Sequence, residues 1–133
     1  MARAKIVKEL LVKTGNKVGM LAAVTETIAK SGANITALNA FGVDKDAIFR
    51  IITSDNAKAI NAIKAKKFEV SEKDVASVEL ANKAGEAAQL GNKLKAANID
   101  VIYIYGSTCD CGGPSIIIFN CSDNKKAVEI LNK

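Results

Sequence analysis

The sequence predicts an α+β chain made of two ferredoxin-like β-α-β-β-α-β repeats with antiparallel sheets, the second lacking its last strand. Three observations carry that expectation. The tetrapeptides Asn16-Lys17-Val18-Gly19 and Asn82-Lys83-Ala84-Gly85 recur 66 residues apart, each between an apolar run and a helical one. The segments DNAKAINAI (Asp55 to Ile63) and DNKKAVEIL (Asp123 to Leu131) recur at an offset of 68. Runs of strand character lie between these landmarks in the same order in both halves. The expected repeats are residues 1–72 and 73–133.

KELLVKT (Lys8 to Thr14) and VASVEL (Val75 to Leu80) supply the first strand of each half. After the turn, Leu21, Val24 and Ile28 align with Ala87, Leu90 and Leu94, the i, i+3 and i+7 positions of an amphipathic helix. Gly32 aligns with Asn98, the two residue types that most readily take the left-handed conformation closing a helix. ANITALNAFGV and IDVIYIYGS follow as second strands, AIFRIIT and SIIIFNC as third strands. Asp55 and Asp123 are suited to cap the second helices, with Ala59, Ile60 and Ile63 matching Ala127, Val128 and Leu131.

FEV (Phe68 to Val70) would be a fourth strand for the first half, whereas the second half stops at Asn132-Lys133. With the strand order 4-1-3-2, that loss would leave Val75 to Leu80 as an open edge. FEV, a swapped strand or a second subunit is expected to cover it. SEKD (Ser71 to Asp74) reads as the whole connection between halves, too short for a flexible tether.

At 133 residues and 49% hydrophobic content the chain can bury a core. MARAKIVKELLVK interleaves charge with apolar residues, so neither a signal peptide nor a membrane span is expected and the cytoplasm is the expected location. The three cysteines do not suggest a disulfide framework. Residues 1–67 carry 12 basic against 5 acidic side chains and residues 68–133 carry 7 against 9. Of the 19 cations 17 are lysines scattered along the chain, the pattern of a solvated surface rather than of a nucleic-acid patch. With no histidine and no nucleophile paired to a base, the sequence argues against an enzyme, and no cofactor is expected.

The repeated turn has two physical readings. Free N–H groups at a helix N-terminus, with the positive end of its dipole, can hold a carboxylate or phosphate, and glycine lets a ligand approach the backbone. The same spacing also suits an Asn that caps the helix and a Gly that eases a tight turn.

NKVGMLAAVTETIAKSGANI, followed by two strands and SDNAKAINAI, resembles the ACT domain, a regulatory module of amino-acid metabolism whose first turn is usually Asp/Asn-x-Pro-Gly followed by Leu. NKAGEAAQLGNKLKAANIDVIYIYGS is similar to the same module in stand-alone tandem ACT proteins. The resemblance covers nearly the whole chain. It implies allosteric regulation by a free amino acid bound between paired modules, a homodimer, and a regulated enzyme partner. Carried over by position, it implies Asn16, Lys17, Val18, Gly19, Met20 and Leu21, with Asn34 and Ile35, as ligand-binding residues.

Where the family has proline, this chain has Val18 and Ala84, so neither turn has φ fixed in advance. The second turn, with Asn82, Gly85, Glu86 and Asp100, is the weaker candidate site, because its carboxylates would repel a ligand carboxylate. The apolar Val18, Met20, Leu21 and Ile35 suggest a small or branched hydrophobic ligand.

STCDCGGPS (Ser107 to Ser115) holds the two-residue insertion and the pair Cys109 and Cys111. A Cys-x-Cys loop could bind a soft metal or do thiol chemistry, although two thiolates fall short of the four ligands of structural zinc. A turn with incidental cysteines is the plainer reading. Cys121 alternates with Ile117 and Phe119 and is assigned to the sheet or core. An RNA-recognition module would place aromatics on its two central strands, where only Phe49 occurs. Tyr103 and Tyr105 lie on an outer strand and should point to one face.

Overall fold

The computed structural model describes residues 3–108 and 110–133. The elements are β1 (Arg3–Gly15), α1 (Met20–Lys30), β2 (Ile35–Val43), β3 (Asp46–Thr53), α2 (Asn56–Ala65), β4 (Glu69–Leu80), α3 (Glu86–Ala96), β5 (Val101–Ser107), β6 (Ser115–Cys121) and α4 (Asn124–Leu131). The strands are hydrogen-bonded in the order β2-β3-β1-β4-β6-β5, forming an antiparallel sheet. No described helix is long and apolar enough to cross a membrane.

The chain gathers into two compact units. One is Lys8–Lys73; the other joins the residues up to Val7 to Asp74–Lys133. The first holds the C-terminal part of β1, β2, β3, the start of β4, and α1 and α2. Leu10 and Val12 of β1 stand opposite Ile51 and Phe49 of β3. Residues opposite each other in an antiparallel pair share a face, and this one packs on Met20, Val24 and Ile28 of α1 and on Ala59 and Ile63 of α2.

The second unit repeats the plan on β4, β5, β6, α3 and α4. Ala76 and Val78 stand opposite Phe119 and Ile117. They share a core with Leu90 and Leu94 of α3 and Ala127 and Leu131 of α4. Cys121 is buried in this core, as its alternation with Ile117 and Phe119 implies. Tyr103 faces Asn120 and Tyr105 faces Ile118, so both tyrosines leave the sheet on the side away from Phe119.

What covers β4 is the N-terminal stretch of β1, its hydrogen-bonded neighbour in the sheet. Ala4 belongs to the core of the second unit, and Arg3 reaches Glu79 at 3.3 Å. Of the three covers expected, FEV, a swapped strand or a second subunit, the structure shows a strand from the first residues of the same chain. SEKD, expected to be a connection, lies inside the continuous strand Glu69–Leu80 that also takes in most of FEV. Ladder pairing overrides the poor strand propensity of Glu, Lys and Asp there.

The helix ends match across the repeats. Asp55 accepts from Lys58 N at 3.2 Å and Asp123 from Lys126 N at 3.0 Å, each capping its helix. Beside them Asn56 Oδ1 accepts from Thr53 N and its Nδ2 donates to Lys8 O; Asn124 does the same with Cys121 N and Asp74 O. Gly32 and Asn98 both take positive φ after α1 and α3 (89° and 58°), as their alignment predicts.

Candidate functional site

β1 ends at Gly15, and the chain must then turn into α1 within four residues. Asn16 N donates to Lys45 O at 2.8 Å, which pins the turn to the β2–β3 hairpin. The Asn16 side chain lies across Gly42, where an added Cβ would come within 2.6 Å of Nδ2. Asn16 therefore does not cap α1. The cap position is Gly19, at φ 95° and ψ −4°, and no side chain accepts from the first N–H groups of the helix. That φ belongs to the region glycine enters freely and asparagine or aspartate less easily, so the turn favours glycine at position 19.

The second turn has the same frame. Met20 N donates to Lys17 O and Glu86 N to Lys83 O; Ala23 N donates to Gly19 O and Gln89 N to Gly85 O, both at 3.0 Å. Gly85 has φ 91° and likewise no side-chain cap. α2 and α4, by contrast, are capped by Asp55 and Asp123. The difference between the two turns is Glu86, an acidic residue in the first turn of α3, where α1 has none. A carboxylate at that end already complements the helix dipole of α3.

A cleft of about 480 Å³ opens beside the first turn. β1 contributes Lys13 to it, the turn Lys17 and Met20, the hairpin Asp46, and the junction of α2 with β4 Lys67, Phe68 and Glu69. Lys13 Nζ lies 3.4 Å from Asp46 Oδ2, with both side chains about half exposed. Lys67 takes φ 63°, closing α2 where glycine or asparagine would be easier. The corresponding cleft in the second unit is about 170 Å³ and includes Lys83 and Glu86.

Of the residues expected at the first site, Lys17 and Met20 line the cleft and Gly19 stands between them in the turn. Asn16 supports the turn from the hairpin side. Val18 is fully exposed and Leu21 half exposed. Asn34 and Ile35 are not brought to this end of the unit. They follow α1, whose 11 residues span about 16 Å at 1.5 Å per residue. There Asn34 N donates to Ser54 Oγ and Ser54 N to Asn34 O, both at 2.8 Å. Asp100 has the same two bonds with Ser122 and lines a separate pocket of about 340 Å³ with Lys95 and Asn98. Asn82 and Gly85 sit in the second turn, Glu86 on the smaller cleft.

Sequence reasoning did not find Lys13, Asp46, Lys67, Phe68 or Glu69. Pairing the predicted first and third strands antiparallel would have put Lys13 near Asp46; the left-handed Lys67 carries no sequence signal. In the cysteine loop, Cys109 lies outside the described residues, while Cys111 is disulfide-bonded, against the expectation from the odd cysteine count. A sulfur held in a disulfide is not a thiolate ligand. Burial pushes the Cys121 thiol above its ordinary range; the backbone N–H of Asp123 lowers it and the Asp123 charge raises it, burial being the largest cause.

The profile of the ACT domain pair matches residues 5–133. The chain belongs to the ACT family. The match spans residues of both units described above. Among solved structures, a protein of Bacteroides thetaiotaomicron is similar at 30% identity, covering 97% of this chain and 88% of that one, with a TM-score of 0.89. The regulatory subunits of aspartate kinase from Thermus flavus and Thermus thermophilus share the ACT fold at 15% and 14% identity, with TM-scores of 0.65 and 0.68. Each alignment covers 98% of this chain and 94% of the subunit. No curated protein matches the chain. An ACT domain pair is a regulatory module.

Proposed function

We propose that this ACT pair is a cytoplasmic, non-enzymatic regulatory protein that binds a free amino acid at the turn after β1. The observation that carries the reading is the uncapped start of α1 at Gly19, opening beside the larger cleft, in a chain that caps α2 and α4 with aspartates. The N–H groups of Gly19 and Leu21, on either side of the one that Met20 gives to Lys17 O, take the ligand carboxylate, and carbonyls at the turn accept from its ammonium. Lys17 adds a positive charge at the rim. The second turn binds a ligand more weakly, because Glu86 holds a carboxylate where the ligand's would go.

Asn34 and Ile35 reach the same ligand only from a neighbouring module, so the complete site is assigned to a homodimer. The exposed apolar residues Leu38, Phe41 and Val43 on the edge strand β2, and Ile102 and Ile104 on the edge strand β5, support that assembly. Ligand binding then favours one arrangement of the interface over another, and a partner enzyme reads the difference.

Titration calorimetry across the common amino acids tests this. Gly19→Asp adds a carboxylate at the turn and Gly19→Asn is its uncharged control, since both side chains tolerate left-handed φ. One or more amino acids should bind the native protein and Gly19→Asn, with binding lost in Gly19→Asp. Equal binding in all three proteins would remove the turn as the site. Ultracentrifugation with and without ligand checks the dimer.

A further inference from the structure

We infer that the ligand of the first cleft is an acidic amino acid, one carrying a second carboxylate, rather than an apolar one. This rests on the amino-acid reading above and goes beyond it by naming the ligand class. Of the four apolar residues that suggested a hydrophobic ligand, Met20 alone lines the cleft: Val18 is fully exposed, Leu21 is half exposed, and Ile35 lies beyond the far end of α1. What does line it is mostly charge.

Lys13, Lys17 and Lys67 bring three ammonium groups, Asp46 and Glu69 two carboxylates. Lys13 is held by Asp46 at 3.4 Å. Among the described residues, no ion pair engages Lys17, Lys67 or Glu69. The cleft therefore offers two uncommitted cations and one uncommitted anion. A ligand with two carboxylates and one ammonium is the complement of that set, and a neutral amino acid would leave one lysine unmatched. The carboxylate shared by all amino acids goes to the turn beside Lys17, the second carboxylate to Lys67 at the junction of α2 with β4, and the ammonium to Glu69 together with the turn carbonyls. Met20 and Phe68 pack against the short carbon chain between the charged groups. The second cleft also holds two lysines and one carboxylate, Lys83, Lys93 and Glu86, but at about 170 Å³ it is smaller, and Glu86 stands in the first turn of α3 where the ligand carboxylate would go, so the preference is assigned to the first unit.

The test compares aspartate and glutamate with their neutral amides asparagine and glutamine, with leucine, and with succinate and inorganic phosphate, by calorimetry at low ionic strength. The acidic amino acids should bind about tenfold more tightly than the amides, as a charge left without its partner would cost. Lys67→Met should remove that preference while still binding the amides, whereas Lys17→Met should weaken acid and amide alike, and circular dichroism confirms that both variants fold. Equal affinity for acid and amide, or a preference unchanged in Lys67→Met, overturns the inference and leaves the amino-acid reading standing. Equal binding of succinate or phosphate shows a bare anion site and overturns it too. If no amino acid binds at all, the reading beneath it fails with it.

Discussion

Asn132 holds Ala4 by both of its backbone groups: Ala4 N donates to Oδ1 at 2.7 Å, and Nδ2 donates to Ala4 O at 2.9 Å. One amide thus fixes the N-terminal stretch of β1 to the end of α4. Asn132→Ala removes both bonds from a buried residue and should destabilise the protein by about 1–3 kcal/mol. Urea unfolding measures it. Removing residues 1–7 should go further, baring the β4 edge and causing self-association that Asn132→Ala alone does not produce; ultracentrifugation at two concentrations distinguishes the two.

The matched asparagines at the helix starts should respond alike. Asn56→Ala and Asn124→Ala each break two bonds from the last residue of the preceding strand, Thr53 or Cys121, one to the backbone carbonyl of Lys8 or Asp74, and one to the side chain of Glu72 or Asn120. Each should cost about 2 kcal/mol, against about 1 kcal/mol for the caps Asp55→Ala and Asp123→Ala. Denaturation midpoints of the four variants provide the comparison.

Two glycines distinguish a movable neighbour from a fixed one. At Gly42 an added Cβ meets the Asn16 side chain, which can swing away. Gly42→Ala should therefore cost about 1 kcal/mol, with the penalty gone in the Asn16→Ala background. At Gly106 the added Cβ runs into the backbone carbonyl of Ile116, which cannot yield without breaking the strand pair. Gly106→Ala should be worse, at about 2–3 kcal/mol. A thermal melt of each single and double variant settles the order.

The pH response of Cys121 follows from its burial. Its raised pKa keeps the native thiol protonated at a pH where an exposed thiol has begun to ionise. In a Cys109→Ser/Cys111→Ser background, reaction with a thiol reagent should be slow in the native state and become rapid on unfolding. In the native state its rate should also begin to rise at a higher pH than for an unfolded control. The linkage has a definite sign. A thiol pKa raised by folding leaves stability unaffected below the unfolded value and reduces it as pH climbs past that value, so unfolding should become easier in alkali.

Much of the fold was legible because both of its periodicities were repeated. Val24 and Ile28 fall where the 3.6-residue period puts them, and Ile117, Phe119 and Cys121 where the two-residue period does. Asn16 could not be placed, because its neighbour Gly42 belongs to another strand and only the fold brings them together. The same holds for Lys13 and Asp46. The stretch from Arg3 to Val7 was unreadable as a strand for another reason: Arg3 and Lys5 interrupt its apolar pattern, and its partner in β4 lies some 70 residues on. Non-local pairing leaves no trace in a local window.

The stagger of β1 separates what was duplicated from what can fold. A gene cut at the repeat boundary would yield a second half without its closing strand, and a first half trailing residues with nothing to pair. A circular permutant that carries Arg3 to Val7 after Lys133 should instead give a second module that stands alone. The sequence repeat and the compact unit share one boundary to within a residue, at the junction near Lys73, and differ by seven residues at the chain start, where the unit begins at Lys8.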